Sequence, residues 1–198
     1  METTGIIILA AGASKRLGTP KQQLPFQNKS LLQNVVHTAA QAGTMPIVVV
    51  LGAFATQIKQ ELIAEKVYTV VNPHWPTGMG GSIQTGLQHL LQLSPQVQNA
   101  LLLLCDQPFI TTPLLKEMYA LKASSRKAIV ACAYGDTIGT PALFDKALFP
   151  RLLALNGQEG AKKILQQHPE QVATVSFPQG AIDIDTNGDY EQFCLAQD

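Results

Sequence analysis

The stretch Leu9-Ala10-Ala11-Gly12-Ala13-Ser14-Lys15-Arg16-Leu17-Gly18-Thr19-Pro20-Lys21 decides how the rest of the chain is read. It follows an apolar run, Ile6 to Ala10, and gathers two glycines, a serine and three of the chain's 14 basic residues between Gly12 and Lys21. Gly12 and Gly18 allow backbone angles closed to other residues. Successive N–H groups in such a turn form a concavity for anions. Lys15, Arg16 and Lys21 add charge-assisted hydrogen bonds to phosphate oxygens, Arg as a fork and Lys as a point charge. The spacing is neither that of a Walker A loop, because five residues separate the glycines and Thr-Pro-Lys follows, nor that of the G-x-G-x-x-G dinucleotide fingerprint. A flexible basic turn without a ligand is the competing reading.

Outward from this loop, 198 residues suit one domain spanning 1–198, large enough to bury about 70% of the surface of its unfolded form. No apolar run approaches the roughly 20 residues that a membrane span needs. Met1 leads straight into Glu2 and the first strand, without the ordered regions of a secretory leader. Cys105, Cys132 and Cys194 are odd in number and widely spaced, which suits reduced thiols better than a disulfide framework or zinc site. The expectation is a cytoplasmic protein with no membrane partner. The formal net charge of zero argues against a general nucleic-acid surface.

Charge is distributed unevenly. Between Thr3 and Gln60 there are five bases and no acid; between Asp183 and Asp198 there are five acids and no base. Asp106 is the only charged residue from Val67 to Leu115. If the chain ends meet at one cleft, it has a basic lip for phosphate and an acidic lip for a divalent metal.

Apolar runs at Gly5–Ala10, Ile47–Leu51, Val67–Val71, Ala100–Leu104 and Ala128–Ala133 alternate with helical patterns. Ser30 is placed to cap a helix from Leu31 to Ala42, with Gly43 ending it. His37 on that helix reads as a surface residue, and His89 as one facing solvent. This alternation predicts an α/β fold with a mostly parallel sheet, in which ligands sit beyond the carboxyl ends of the strands. The loop from Asn72 to Ser82 reads as a long turn before a helix from Ile83. Its glycines and Ser82 present free N–H groups at that helix's N-terminus, for a base, ribose or phosphate, or for nothing but a cap. Asp106 follows a buried strand, where a carboxylate is costly unless paired or metal-bound. Gly139 to Phe144 reads as a tight approach followed by an apolar edge. Ala181 to Asp185 reads as a short strand with Asp183 and Asp185 on one face.

With these pieces placed, the chain resembles the MobA-like nucleotidyltransferases, and within them the molybdenum cofactor cytidylyltransferases. Leu9 to Lys21 is similar to the signature L-A-A-G-x-S-x-R-M-G-x-x-K, with Leu17 in place of Met. Gly78-Met79-Gly80-Gly81-Ser82, Asp106-Gln107-Pro108, Gly139-Thr140-Pro141 and Asp183-Ile184-Asp185-Thr186 follow in the family's order. The resemblance implies a single-domain Rossmann-like three-layer sandwich. It also implies transfer of CMP from CTP to Mo-molybdopterin, with Mg2+ as cofactor and a transient contact with a molybdenum hydroxylase. It makes Arg16, Lys21 and Asp106 the catalytic residues. Nucleotide-binding falls to Leu9, Ala10, Ala11, Gly12, Ala13, Ser14, Arg16, Lys21, Gly80, Ser82 and Asp106. Asp106, Asp183 and Asp185 are the implied metal ligands, and Gly139, Pro141 and Lys162 the acceptor site. Gln158 and Lys162 depart from the family's G-D-x-G-A-R pattern, which leaves another small phosphorylated acceptor open. GTP is the rival nucleotide, although that branch usually has Leu-x-Gly-Gly where this chain has Leu9-Ala10-Ala11-Gly12. A non-catalytic carrier of the finished cofactor is the alternative of a different class.

Overall fold

The computed structural model describes residues 3–182, 184 and 186–195. The first strand, β1 (Thr4–Ala10), is buried at every position. After the loop and a 3-10 turn at Lys21–Gln23, a small hairpin of β2 (Pro25–Phe26) and β3 (Lys29–Ser30) leads into α1 (Leu31–Gln41). Ser30 caps that helix through a reciprocal capping box with Gln33, so two otherwise unpaired N–H groups are satisfied. Then come β4 (Ile47–Leu51), α2 (Ala55–Glu61), β5 (Tyr68–Val71), α3 (Met79–Leu93) and β6 (Asn99–Leu104). The second half holds α4 (Thr112–Ser125), β7 (Ile129–Tyr134), β8 (Thr137–Asp145), α5 (Phe149–Leu153), α6 (Lys162–Gln167), β9 (Val172–Ser176) and α7 (Asn187–Leu195).

Seven strands form one sheet in the order β5-β4-β1-β6-β8-β7-β9. All its pairings are parallel except those of β8, which runs antiparallel to β6 and β7. Alternating side chains divide the core into two faces. Ile6, Ile8 and Ala10 of β1 join Leu32, Val36, Ile58, Leu115 and Met118 beneath α1, α2 and α4. Ile7 and Leu9 join Ile83, Leu87, Leu90, Leu152 and Ile164 beneath α3, α5 and α6. This is the expected α/β sandwich of three layers. Because β4 and β6 flank β1 on opposite sides, the chain changes direction at β1, and the crevice beyond its carboxyl end is where such sheets place ligands.

The structure corrects three sequence expectations. The helix expected from Ile83 begins at Met79, so Gly80, Gly81 and Ser82 lie in its first turn and Gly78 is the N-cap residue. Helix propensity is outweighed by close packing. A Cβ on Gly86 would stand 2.5 Å from Ile7 Cγ2 and 2.7 Å from Val50 Cγ2, so α3 lies directly on the sheet. Secondly, Gly139 to Phe144 is no edge: β8 is an interior strand. Pro141, which cannot donate to a ladder, is accommodated at an irregularity. Ala131 pairs with Ala142 and Cys132 with Gly139, leaving Thr140 and Pro141 outside the regular register. Thirdly, none of the described residues of the expected strand Ala181–Asp185 lies in a strand. Pro178–Ala181 is a 3-10 turn, and Ile182 and Ile184 belong to no strand. Gly180 packs too tightly for a side chain, a Cβ there falling 2.5 Å from Phe177 and 2.7 Å from Tyr134.

Candidate active site

Beyond the carboxyl ends of β1 and β6 lies a cleft of about 450 Å³. Leu9 and Leu104, register partners on adjacent strands, form its floor. Its walls are Ala11, Gly12, Ala13, Lys15, Lys21 and Gln22 on one side, Trp75, Gly78, Met79 and Ser82 on another, and Cys105, Asp106 and Gln158 completing the rim. The expected nucleotide residues Leu9, Ala11, Gly12, Ala13, Lys21, Ser82 and Asp106 therefore face one cavity. Ala10, Ser14, Arg16 and Gly80 are not among its lining residues. Ala10 is buried in β1, and Arg16 lies exposed on the loop.

The loop is held by its own side chains. Ser14 takes a positive φ of 49°, its carbonyl accepts the Leu17 and Gly18 N–H groups at 3.0 and 3.2 Å, and its Oγ accepts the Lys21 N–H at 3.0 Å. This closes a tight turn and returns Lys21 to the start of the loop. Ser14 thus shapes the loop through its side chain. Gly80 does not present the free amide expected of it: its N–H donates to Gly157 O at 3.1 Å. Ser82 is buried, and its Oγ accepts from Asn72 Nδ2 at 3.0 Å.

Lys21 and Asp106, assigned separate tasks from the sequence, are partners. Lys21 Nζ lies 2.5 Å from Asp106 Oδ2, with side-chain exposures of 15% and 16%. Asp106 Oδ1 is buried without a hydrogen-bond partner among the described residues. A carboxylate oxygen lacking a donor is suited to a cation, so Asp106 fits a divalent ion. Such an ion would shield the charges of bound phosphates. Asp183 and Asp185 lie outside the described residues, and among those described no three His, Cys, Asp or Glu side chains come together as a metal-binding group. Cys105, although on the rim, is no nucleophile. Burial first, and the Asp106 charge second, push its thiol up to about 12, so it stays protonated at neutral pH.

A second cavity of about 230 Å³ adjoins the first, sharing Leu9, Met79, Leu104 and Gln158 with it. Gly139 and Lys162, two of the three residues assigned to the acceptor, line it. Pro141 is buried and is not among its lining residues. Leu102, Ile83, Ala142 and Leu165 make its walls largely apolar. Glu159 braces the adjoining glycine loop: its Oε2 accepts the Asn156 N–H at 3.2 Å, and its carboxylate pairs with Lys163. That hydrogen bond from Lys163, before other contacts, holds the Glu159 carboxyl below its usual range.

Sequence reasoning missed two braces. Gln22 is fully buried, and its Nε2 donates to Ala10 O and Gly12 O, each at 2.9 Å. Gln107 Nε2 donates to Thr140 O at 3.0 Å and Gly180 O at 3.2 Å, tying the residue after Asp106 to the acceptor strand and the C-terminal segment. Nothing in the local pattern marks a glutamine that bonds to distant carbonyls. Trp75 lines the cleft and also covers Gly52, where a Cβ would fall 2.7 Å from the Trp75 side chain.

Fold and cleft together define a Rossmann-like α/β protein with a basic glycine loop and a carboxylate facing one cavity. The chain belongs to the family described as the MobA-like NTP transferase domain, whose model matches residues 6–172. It is 30% identical to nicotine blue oxidoreductase of Paenarthrobacter nicotinovorans over 171 residues, covering 82% of this chain and 81% of that protein. It is 32% identical over 136 residues to the bifunctional protein GlmU of Cellvibrio japonicus, covering 68% of this chain but only 29% of that longer protein. Among solved structures, Rv0371c of Mycobacterium tuberculosis superposes with a TM-score of 0.84 at 27% identity, covering 97% of each chain. Rv0371c in complex with manganese gives 0.77 at 25%, covering 96% of this chain and 97% of that one. No helix among the described residues is long and apolar enough to cross a membrane.

Proposed function

We propose that the protein is a cytidylyltransferase that moves CMP from CTP to the terminal phosphate of Mo-molybdopterin, with Mg2+ held by Asp106 and by Asp183 or Asp185. The observation that carries the reading is the meeting of the glycine loop, Lys21 and a partly unsatisfied Asp106 in one cleft. A phosphate carrier needs the loop and the lysine; a carboxylate that engages that lysine and keeps Oδ1 without a donor adds nothing to phosphate binding and suits a cation.

In this reading Arg16 and Lys21 neutralise the triphosphate while the Ala11–Ser14 backbone cradles it. An acceptor phosphate oxygen forms a bond to the α-phosphorus, the bond from that phosphorus to the bridging oxygen breaks, and pyrophosphate leaves with the electron pair. The acceptor is already an anion and needs no general base, so positioning and charge neutralisation supply the catalysis. Gly139 and Lys162, which line the second cavity, would border the acceptor, with Lys162 offering a point charge. Ala10-Ala11, where the GTP branch usually has glycine second in Leu-x-Gly-Gly, favours CTP. The manganese complex of Rv0371c supports a divalent cation in a relative of this fold.

The test is pyrophosphate release with each nucleotide in turn, Mg2+ and Mo-molybdopterin. CTP turnover is expected; turnover of GTP alone would overturn the nucleotide assignment. A second reading, an oxidation–reduction, is favoured by the relative named nicotine blue oxidoreductase. It predicts no pyrophosphate release with any nucleotide.

A further inference from the structure

The loop's carbonyls carry information that its glycines and basic residues do not. Four successive carbonyls, from Leu9 to Gly12, accept hydrogen bonds from protein donors. Leu9 O takes the Cys105 N–H at 3.3 Å and Ala11 O the Ala53 N–H at 3.1 Å. Ala10 O and Gly12 O, one residue to either side of Ala11, both take the Gln22 carboxamide at 2.9 Å. The amide's orientation is unambiguous, because two carbonyls can face only the NH2 end. Its Oε1 is buried without a partner, a state that costs stability and calls for an explanation. A residue selected only for packing would be apolar at this fully buried position.

A peptide unit whose carbonyl is held on one side presents its N–H to the other. From this geometry we infer that Gln22 is a positioning residue of the phosphate loop. By fixing the Ala10 and Gly12 carbonyls on its carboxamide, it sets the peptide planes of the loop, keeps the loop's N–H groups available to the anion and prevents the carbonyl dipoles from turning towards it. Gln22 follows Lys21 in one 3-10 turn, and the Lys21 N–H is tied back to Ser14. One short segment therefore supplies both the charge and the brace. The inference rests on the reading of Ala11–Ser14 as a phosphate loop, but not on which nucleotide or acceptor is used.

The test uses inorganic pyrophosphate as probe and isothermal titration calorimetry as readout. Gln22→Leu removes both hydrogen bonds at similar volume and is expected to weaken pyrophosphate binding by about 10-fold or more. Val36→Ala, in the core beneath α1, should lower the melting temperature while leaving pyrophosphate affinity within about twofold, since it opens a cavity remote from the loop. Unchanged affinity in folded Gln22→Leu would overturn the inference alone. Failure of the wild type to bind pyrophosphate would overturn the phosphate-loop reading beneath it. A measurement on the wild type covers a variant that does not fold. By NMR, the Gln22 side-chain amide protons should exchange with solvent at least about 10-fold more slowly than those of exposed Gln27, with and without pyrophosphate. Equal exchange rates would refute the brace.

Discussion

Lys21→Met leaves Asp106 as a carboxylate that is five-sixths buried, with Oδ1 already lacking a donor and Oδ2 newly deprived of its ammonium. Breaking a buried pair from one side costs about 3–5 kcal/mol. The residual exposure of 15% and 16% places this pair at the lower end, about 3 kcal/mol. For a chain of this size each kcal/mol moves the melting temperature by about 2–4 °C, so a fall of about 6–12 °C is expected. Asp106→Asn should also lower the melting temperature, because it takes the carboxylate charge away from Lys21 Nζ. The double variant Lys21→Met/Asp106→Asn removes both charges and should regain most of the loss, giving a coupling of at least about 2 kcal/mol in a double-mutant cycle. All three should lack transfer activity. Differential scanning calorimetry gives the stabilities and pyrophosphate release the activities. Additive losses in the double variant would refute the pairing, and an active double variant would remove both residues from the chemistry.

Four further outcomes follow from individual contacts. Gly78→Ala forces a side chain onto a residue at φ 130° and 2.3 Å from Gly157 O; the backbone strain alone costs about 1–3 kcal/mol, read as a lower urea midpoint. Gln107→Leu strands the Thr140 and Gly180 carbonyls and should destabilise by about 2 kcal/mol, with reduced transfer as the Asp106 loop loosens. Burial, ahead of nearby acids, pushes the Cys105 and Cys132 thiols up from 9.0 to about 12. Above pH 9 the unfolded chain loses these protons while the folded one keeps them, so stability should decline with rising pH between about 9 and 12. Cys132→Val should flatten that slope, measured by urea unfolding at stepped pH. Exposed Cys194 should react rapidly with a thiol reagent in the native protein, whereas buried Cys105 and Cys132 should react only on unfolding.

The parallel half of the sheet was legible because each of its strands is a short apolar run between turn residues. Ser30 announced α1 because a capping box is local and its partners lie three residues apart. What escaped was set by distant contacts. Gly80 and Gly81 read as loop because helix propensity disfavours them, yet packing of α3 against the sheet and the loop containing Gly157 admits them into a helix. Gly139 to Phe144 read as an approach and an edge because its place inside the sheet depends on pairing with β6 and β7, which no local pattern shows. The loop and Asp106 could be nominated as site residues, since a basic glycine turn and a lone acid each stand out locally. Their pairing across 85 residues could not, nor could the reach of Gln22 and Gln107, because the fold alone brings these groups together.

Cytidylyl transfer at this cleft is tested by a single-turnover experiment with CTP labelled at the α-phosphate, Mo-molybdopterin and Mg2+, following the label into the acceptor for wild type and Asp106→Asn. Label transfer matched by pyrophosphate release is expected in the wild type, and its loss in a variant that remains folded. Transfer by Asp106→Asn at the wild-type rate, or bound CTP that never passes its label on, would contradict it.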